Sequence, residues 1–454
     1  MAATGITGTL KQGCMLEKIF SWYKKRESED EEPQIQFGRY SDNNKPVAKV
    51  QRWNEADTLF KSGKYIDSIK AFFDYLRDEE ADNVKLELKG DKGKFSFYQG
   101  SKIIRGSFNA EALKAEVSLA TMPTLSVPVM RRLLEMNFTL YYTRYALKDD
   151  TLCMMFDSDI ETANPSKLYY GFKELATKAD KHDDLLVQDF ASLISIDTEH
   201  ILELSQAEKK IKYKYFKKWI GETLDLISGI EAEKYSGGIA YLLLSLAYRI
   251  DFLIVPEGKL LLAIEKIVDI YFKKDDRPVT EKNLDMIDEF QKLGARTEEE
   301  FYPYLFRSKY TFSIVTPQNY KTIADAIYNA NQNVNWYKEA KKPEIAALIS
   351  EYGIAYCQYS YSLPRPVTEF FQLFMMVNYP DYFSELGYKT IFYNKEEKTF
   401  NNEAILAAIQ VVQSKWNGKY PDLKLNTEKL KWDSILDFNQ SFTTEVEYLN
   451  LEAK

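Results

Sequence analysis

Only two histidines, His182 and His200, occur among the 454 residues, so any imidazole chemistry rests on them. His200 lies near Asp197, Glu199 and Glu203, the last almost one helical turn away, a spacing at which two side chains can share a cation. A structural or catalytic metal site needs three or four converging ligands, so the expectation is an exposed histidine at a helix start among capping acids. His182, in Lys181-His182-Asp183-Asp184, reads as a solvated helix junction. Asp157-Ser158-Asp159-Ile160-Glu161 places carboxylates at alternate positions as a calcium loop does, but Thr162 stands where the sharp turn needs glycine and Leu168 where the bidentate glutamate belongs. That stretch is read instead as a strand end leading to a helix capped at Ser166. No catalytic, metal-binding or cofactor-binding residue is assigned.

Further chemistry is constrained by missing motifs. Gly90 and Gly93 are hairpin-turn glycines, and neither phosphate-binding glycine loop is present. There is also no nucleophile elbow and no metalloprotease helix motif. The run Lys209-Lys210-Ile211-Lys212-Tyr213-Lys214-Tyr215-Phe216-Lys217-Lys218-Trp219 has the composition of a nucleic-acid track. At helical spacing, though, Ile211, Tyr215 and Trp219 fall on one face, which predicts a core face with lysines outside. Tyr352, Tyr356 and Tyr359, followed by Tyr361, Phe370, Phe371, Phe374, Met375 and Met376, read as helix packing in a tyrosine-rich core, with an adaptable aromatic surface as the alternative.

The elements that must position these groups follow from size and pattern. A chain of 454 residues exceeds one ordinary core, and 45% hydrophobic with 28% charged residues describes a globular protein. A net charge of -8 disfavours nonspecific binding to nucleic acid or anionic membrane. Cys14, Cys153 and Cys357 are widely spaced, which suggests neither a disulfide framework nor a zinc site and fits a reducing compartment. With no apolar signal segment before Cys14 and an apolar run at 238–247 too short to span a bilayer, a cytoplasmic location is expected. That run is expected to form a buried helix.

Residues 1–50 read as a flexible tail or linker, with an apolar patch at Leu16, Ile19, Phe20, Trp22 and Tyr23 expected to dock on the body. Residues 51–190 read as an α+β domain and 191–454 as an irregular helical domain. Within 53–75, Ala56, Gly63 and Tyr65 sit where a tetratricopeptide-like helical hairpin has its small, turn and aromatic residues. A lone hairpin cannot close a core, so the adjoining sheet is expected to cover it. Alternation at Val84, Leu86 and Leu88, at Phe95 and Phe97, and on through Leu119 predicts antiparallel strands. A helix is expected from Pro128, with Ser126 as its cap, then strands at 138–147 and 152–156 and a helix opening at Pro165. Helices are expected at 198–230, 237–252, 259–272, 281–293, 320–337, 343–361, 367–386 and 402–416, with a small hairpin at 390–400.

This element order, carried by VPVMRRLLEMNFTLYYTRYALKDDTLCMMFD at 127–157, resembles the YbjN and type III secretion chaperone fold over about residues 84–189. The resemblance implies a bacterial, non-enzymatic protein-binding module that is chaperone- or adaptor-like, with a protein client or a second copy of itself as partner. Candidate contact residues are Met130, Leu134, Tyr141, Tyr145 and Leu147. The alternative is a hydrolase-type enzyme with a carboxylate, tyrosine and lysine site at the interdomain cleft, which predicts a deep pocket, convergent carboxylates and shifted pKa values.

Overall fold

The computed structural model describes residues 32–79, 81–197 and 200–452. Cys14 and the apolar patch at 16–23 lie outside the described residues. The chain is α+β: a helical hairpin, an antiparallel sheet with flanking helices, and a mostly helical second half.

Helices α1 (Val47–Lys61) and α2 (Tyr65–Leu76) form the hairpin. Gly63 turns the chain at φ +75°, a conformation that costs glycine nothing. Ala56 is fully buried, which lets α2 approach closely enough for the Ser68 hydroxyl to donate to its carbonyl at 2.7 Å. The apolar face of α2 closes against the sheet, as a lone hairpin requires: the Phe73 ring lies 4.6 Å from Phe95 and 5.9 Å from Phe172.

The sheet runs β1 (Val84–Lys89), β2 (Lys92–Gln99), β3 (Lys102–Phe108) and β4 (Ala112–Thr121) as a meander, after which β6 (Thr151–Asp159) pairs with β4 and β5 (Arg144–Lys148) takes the outer edge. A two-residue strand, β7 (Ile194–Ser195), adds to the end of β4. Strand periodicity puts Phe95, Phe97, Ile104, Leu113, Val117 and Phe156 on one buried face. That face is covered by α2 and by α4 (Pro165–Asp189), whose Leu168, Phe172, Leu175 and Ala179 are buried. Between β4 and β5 lies α3 (Val127–Asn137).

The sequence pattern placed a strand at 138–147, yet the strand begins only at Arg144. The backbone donors of the preceding loop are diverted from any ladder: Tyr141, Tyr142 and Thr143 donate to the Glu174 carboxylate, and within β5 the Tyr145 N–H donates to the Asn137 side chain. The cap of α4 is Asn164, which accepts from Lys167 N at 2.9 Å, and not Ser166. Ser126 occupies the cap position of α3 without a side-chain capping bond.

In the second half, the helix expected at 198–230 starts only at Gln206, where Ser205 caps α5 (Gln206–Ser228). Leu202–Glu203 before it forms β8, paired with β9 (Phe306–Arg307). Helix α6 (Ser236–Arg249) continues into a π-helical turn, Ile250–Ile254, and this combined span is long and apolar enough to cross a membrane, with 89% of it buried inside the protein. Helices α7 (Gly258–Phe272), α8 (Val279–Ala295), α9 (Glu298–Phe301), α10 (Tyr320–Glu339) and α11 (Pro343–Ser360) follow. The span expected as one helix at 367–386 is two, α12 (Arg365–Asn378) and α13 (Pro380–Glu385), because Pro380 has no N–H to continue the ladder. A short hairpin, β10 (Tyr393–Asn394) with β11 (Thr399–Phe400), leads into α14 (Asn402–Trp416) and then α15 (Ile435–Glu447), which the sequence pattern did not suggest.

Two cores result, one under the sheet and one among the helices, sewn together by two segments. The first is 32–46. Far from being a loose tail, it buries Phe37 against Phe252 and Phe383 and carries Arg39 onto Asp251. The second is 306–317, from which Phe312 enters the sheet core while its backbone N–H and C=O pair with the Gln99 side chain at 3.0 and 3.1 Å.

Candidate functional site

Helix α3 has two apolar faces. Val129, Leu133 and Met136 are buried against the sheet core. At about 100° per residue, Val127, Met130, Leu134 and Phe138 fall on a different stripe within about 80° of one another. Val127 is 66% exposed, Leu134 62% and Phe138 92%, and Tyr141 beyond the helix is 92% exposed. Large apolar side chains so fully in water are costly on a free surface, where full burial of one stabilises by about 1.5–3 kcal/mol.

The loop that carries the tyrosines is held firmly. The Glu174 carboxylate, from α4, accepts the N–H groups of Tyr141, Tyr142 and Thr143 at 2.8, 2.7 and 2.9 Å, with the Thr143 hydroxyl at 3.0 Å. The aromatic rings are thus presented on a backbone whose position is already fixed.

Of the candidate contact residues, Leu134 and Tyr141 stand on this surface and Met130 is half-buried at its edge. Tyr145 is not a surface residue: it is buried, and its hydroxyl pairs with His182 Nδ1. Leu147 is half-buried and packs on the sheet core. Val127 and Phe138 were missed, although the i, i+3, i+7, i+11 spacing through Leu134 was visible in the sequence.

A second feature lies at the seam between the two cores. A cleft of about 70 Å³, or about 750 Å³ counted out to its open mouth, is lined by groups from 36–40, α5, the π turn and 306–314. Its lining includes Val255, a β-branched residue at φ +53° directly before Pro256. That left-handed conformation strains Val255 both as a β-branched residue and as one preceding proline. The Glu257 carboxylate accepts the Tyr310 hydroxyl, and burial, joined by repulsion from Asp184, pushes its carboxyl up to about 8. Asp184 is raised to about 7 by burial and by Asp183 beside it. Asp180, which retains partial exposure, is raised by burial and by Glu257, and it accepts the Ser101 N–H at 2.7 Å. Asp183 is paired with the fully buried Lys102 at 2.8 Å. Asp180, Asp183 and Asp184 share one face of α4, a spacing visible in the sequence, whereas Glu257 is brought to them from more than seventy residues away.

The histidines take neither expected role. His182 is partly buried in the middle of α4, and burial with Lys178 and Lys181 lowers it to about 4. His200 is not at a helix start but half-buried beside the Tyr98 ring, with Nε2 3.2 Å from the Gly100 carbonyl. Among the described residues, no three His, Cys, Asp or Glu side chains are placed to hold a metal ion.

In the basic run, Tyr215, Phe216 and Trp219 pack the helical core, but Lys209 and Lys212 are buried with them instead of facing out. Lys212 Nζ donates to the Ile254 carbonyl at 2.9 Å, an acceptor freed where the π turn ends. Phe370, Phe371, Phe374 and Met375 are core, while Tyr352, Tyr356 and Tyr359 are half-buried around Tyr248, with Tyr361 against Tyr356. Neither protein-family models nor characterised proteins give a match to this chain.

Proposed function

We propose that the protein is a cytoplasmic, bacterial, chaperone- or adaptor-like binding module that holds a protein client, or a second copy of itself, on the outer stripe of α3 and the loop after it. The observation that carries this reading is the exposed apolar series Val127, Leu134 and Phe138 along α3, continued by Tyr141 on a loop whose backbone Glu174 holds. A preordered surface of this kind lowers the entropic cost of association, and aromatic side chains are favoured anchors in interfaces. The secretion-chaperone resemblance over residues 84–189 belongs to the same reading.

A second reading, a hydrolase-type site at the seam, draws on Glu257, whose carboxyl is pushed up to about 8 and accepts the Tyr310 hydroxyl, with Lys212 in the same cleft. It ranks lower because the carboxyls there already serve the fold: Asp180 holds the Ser101 turn, Asp183 holds Lys102 and Glu257 holds Tyr310.

The test compares the native full-length chain with a Leu134→Asp, Phe138→Ser, Tyr141→Ser variant, all three at exposed positions. Native mass and associated proteins are measured for each. Loss of a partner, with an unchanged melting temperature, is the expected result. The same mass and the same associated proteins in both would sink the proposal.

A further inference from the structure

The seam cleft has the make-up of a ligand site in its own right: a concave space at the junction of two cores, where an apolar wall stands beside charged and hydroxyl-bearing side chains. Its cations decide what fits. Arg39 is matched already, because its Nε and Nη2 grip both Asp251 oxygens at 2.9–3.0 Å. Lys212 and Arg307, by contrast, share one carboxylate: Glu208 Oε2 accepts from Arg307 Nη2 at 2.9 Å, while Oε1 lies 3.4 Å from Lys212 Nζ. That wall therefore carries one positive charge more than its carboxylate neutralises.

Across the cleft, Glu257 does not restore the balance, since burial keeps its carboxyl mostly protonated at neutral pH. A protonated carboxyl also offers an O–H donor. Lys212 itself is pulled down to about 8 by burial, so an added anion would be gained by an under-compensated cation. The apolar part of the lining includes Leu204, Leu261, Phe306 and Phe312, while Gln36 and Ser308 add neutral polar groups. One surplus charge suits a monoanion better than a phosphate, and the apolar wall calls for a hydrocarbon body.

We propose that the seam cleft binds a small amphipathic organic acid, its carboxylate against Lys212 and Arg307 and its hydrocarbon part against Leu204, Leu261, Phe306 and Phe312. This site is separate from the α3 face and stands whether or not that face holds a protein.

Octanoate is the probe, titrated calorimetrically into the full-length chain, with octanol and octylamine as comparators that keep the hydrocarbon and change the head. Saturable one-to-one binding of octanoate is expected, at least tenfold tighter than either comparator. Arg307→Met changes a partly exposed side chain and is expected to weaken octanoate at least tenfold with the melting temperature preserved; Lys212→Met, at a buried position, is the second variant. Leu134→Asp on the α3 face is expected to leave octanoate affinity unchanged. The proposal is overturned if octanoate shows no saturable binding, if octanol binds as well, if Arg307→Met binds like the parent, or if Leu134→Asp abolishes binding.

Discussion

The Glu174 side chain on α4 accepts the backbone N–H of Tyr141 at 2.8 Å, and the same carboxylate takes the next two N–H groups in the loop. One acid side chain thus replaces the strand pairing that the sequence pattern led one to expect. Glu174→Ala leaves those donors to water and is expected to cost about 1–3 kcal/mol. The loop then moves, so amide exchange at 141–143 rises while exchange in β2 and β3 stays slow. Unchanged protection at those three amides would show that Glu174 does not hold the loop.

The reach of the sequence is visible in this same place. Alternation at Val84, Leu86 and Leu88 with the turn glycines Gly90 and Gly93 specified β1 and β2 because both signals are local. Helix α14 was legible to its ends for a similar reason, with Asn401 capping it directly. Residues 138–147 carry the same strand-like alternation, and only Glu174, some thirty residues on, decides otherwise. Burial of Lys212 was equally hidden, since its acceptor is a carbonyl at the end of a π turn on another helix. The seam cleft draws on several separated segments, and no spacing within one of them could reveal it.

Two carboxyls at the seam, Glu257 near 8 and Asp184 near 7, are raised above the usual range of about 4. Below that range both are protonated whether the chain is folded or not, and their contribution is fully present. As pH rises toward 8 the unfolded chain releases protons that the folded one must keep, so stability falls. The limiting slope is about 1.4 kcal/mol per pH unit for each group. Urea unfolding measured from pH 5 to pH 9 is expected to show stability declining to about pH 8 and levelling above it, and Glu257→Gln is expected to flatten the decline. A curve of identical shape for the variant would rule out Glu257 as a source.

Phe312 reaches the sheet core from the second half of the chain, with its ring 5.8 Å from Phe97 and 5.4 Å from Tyr169. Removing it opens a cavity among buried aromatics, for which about 3–5 kcal/mol is the usual cost. Because its backbone also pairs with Gln99, the loss is expected to loosen the seam as well as the core. Phe312→Ala should therefore lower the unfolding midpoint and speed amide exchange in β2. A loss confined to the helical half would show that the two cores are not coupled through this residue.

Arg39 and Asp251 form a buried pair, the guanidinium stacked 4.0 Å from the Tyr359 ring and also 3.4 Å from Glu265. Asp251 sits in the π turn, where it is 3% exposed and, among the described residues, forms its ion pair with Arg39. Taking away the arginine strands that carboxylate in the core, which typically costs about 3–5 kcal/mol. Taking away both charges removes the stranded group along with its partner. Arg39→Met alone is thus expected to destabilise more than Arg39→Met combined with Asp251→Asn, although the double variant changes more atoms. Equal losses in denaturant unfolding would mean that the pair contributes packing alone, and that the segment 32–46 is fastened to the helical core by Phe37 instead.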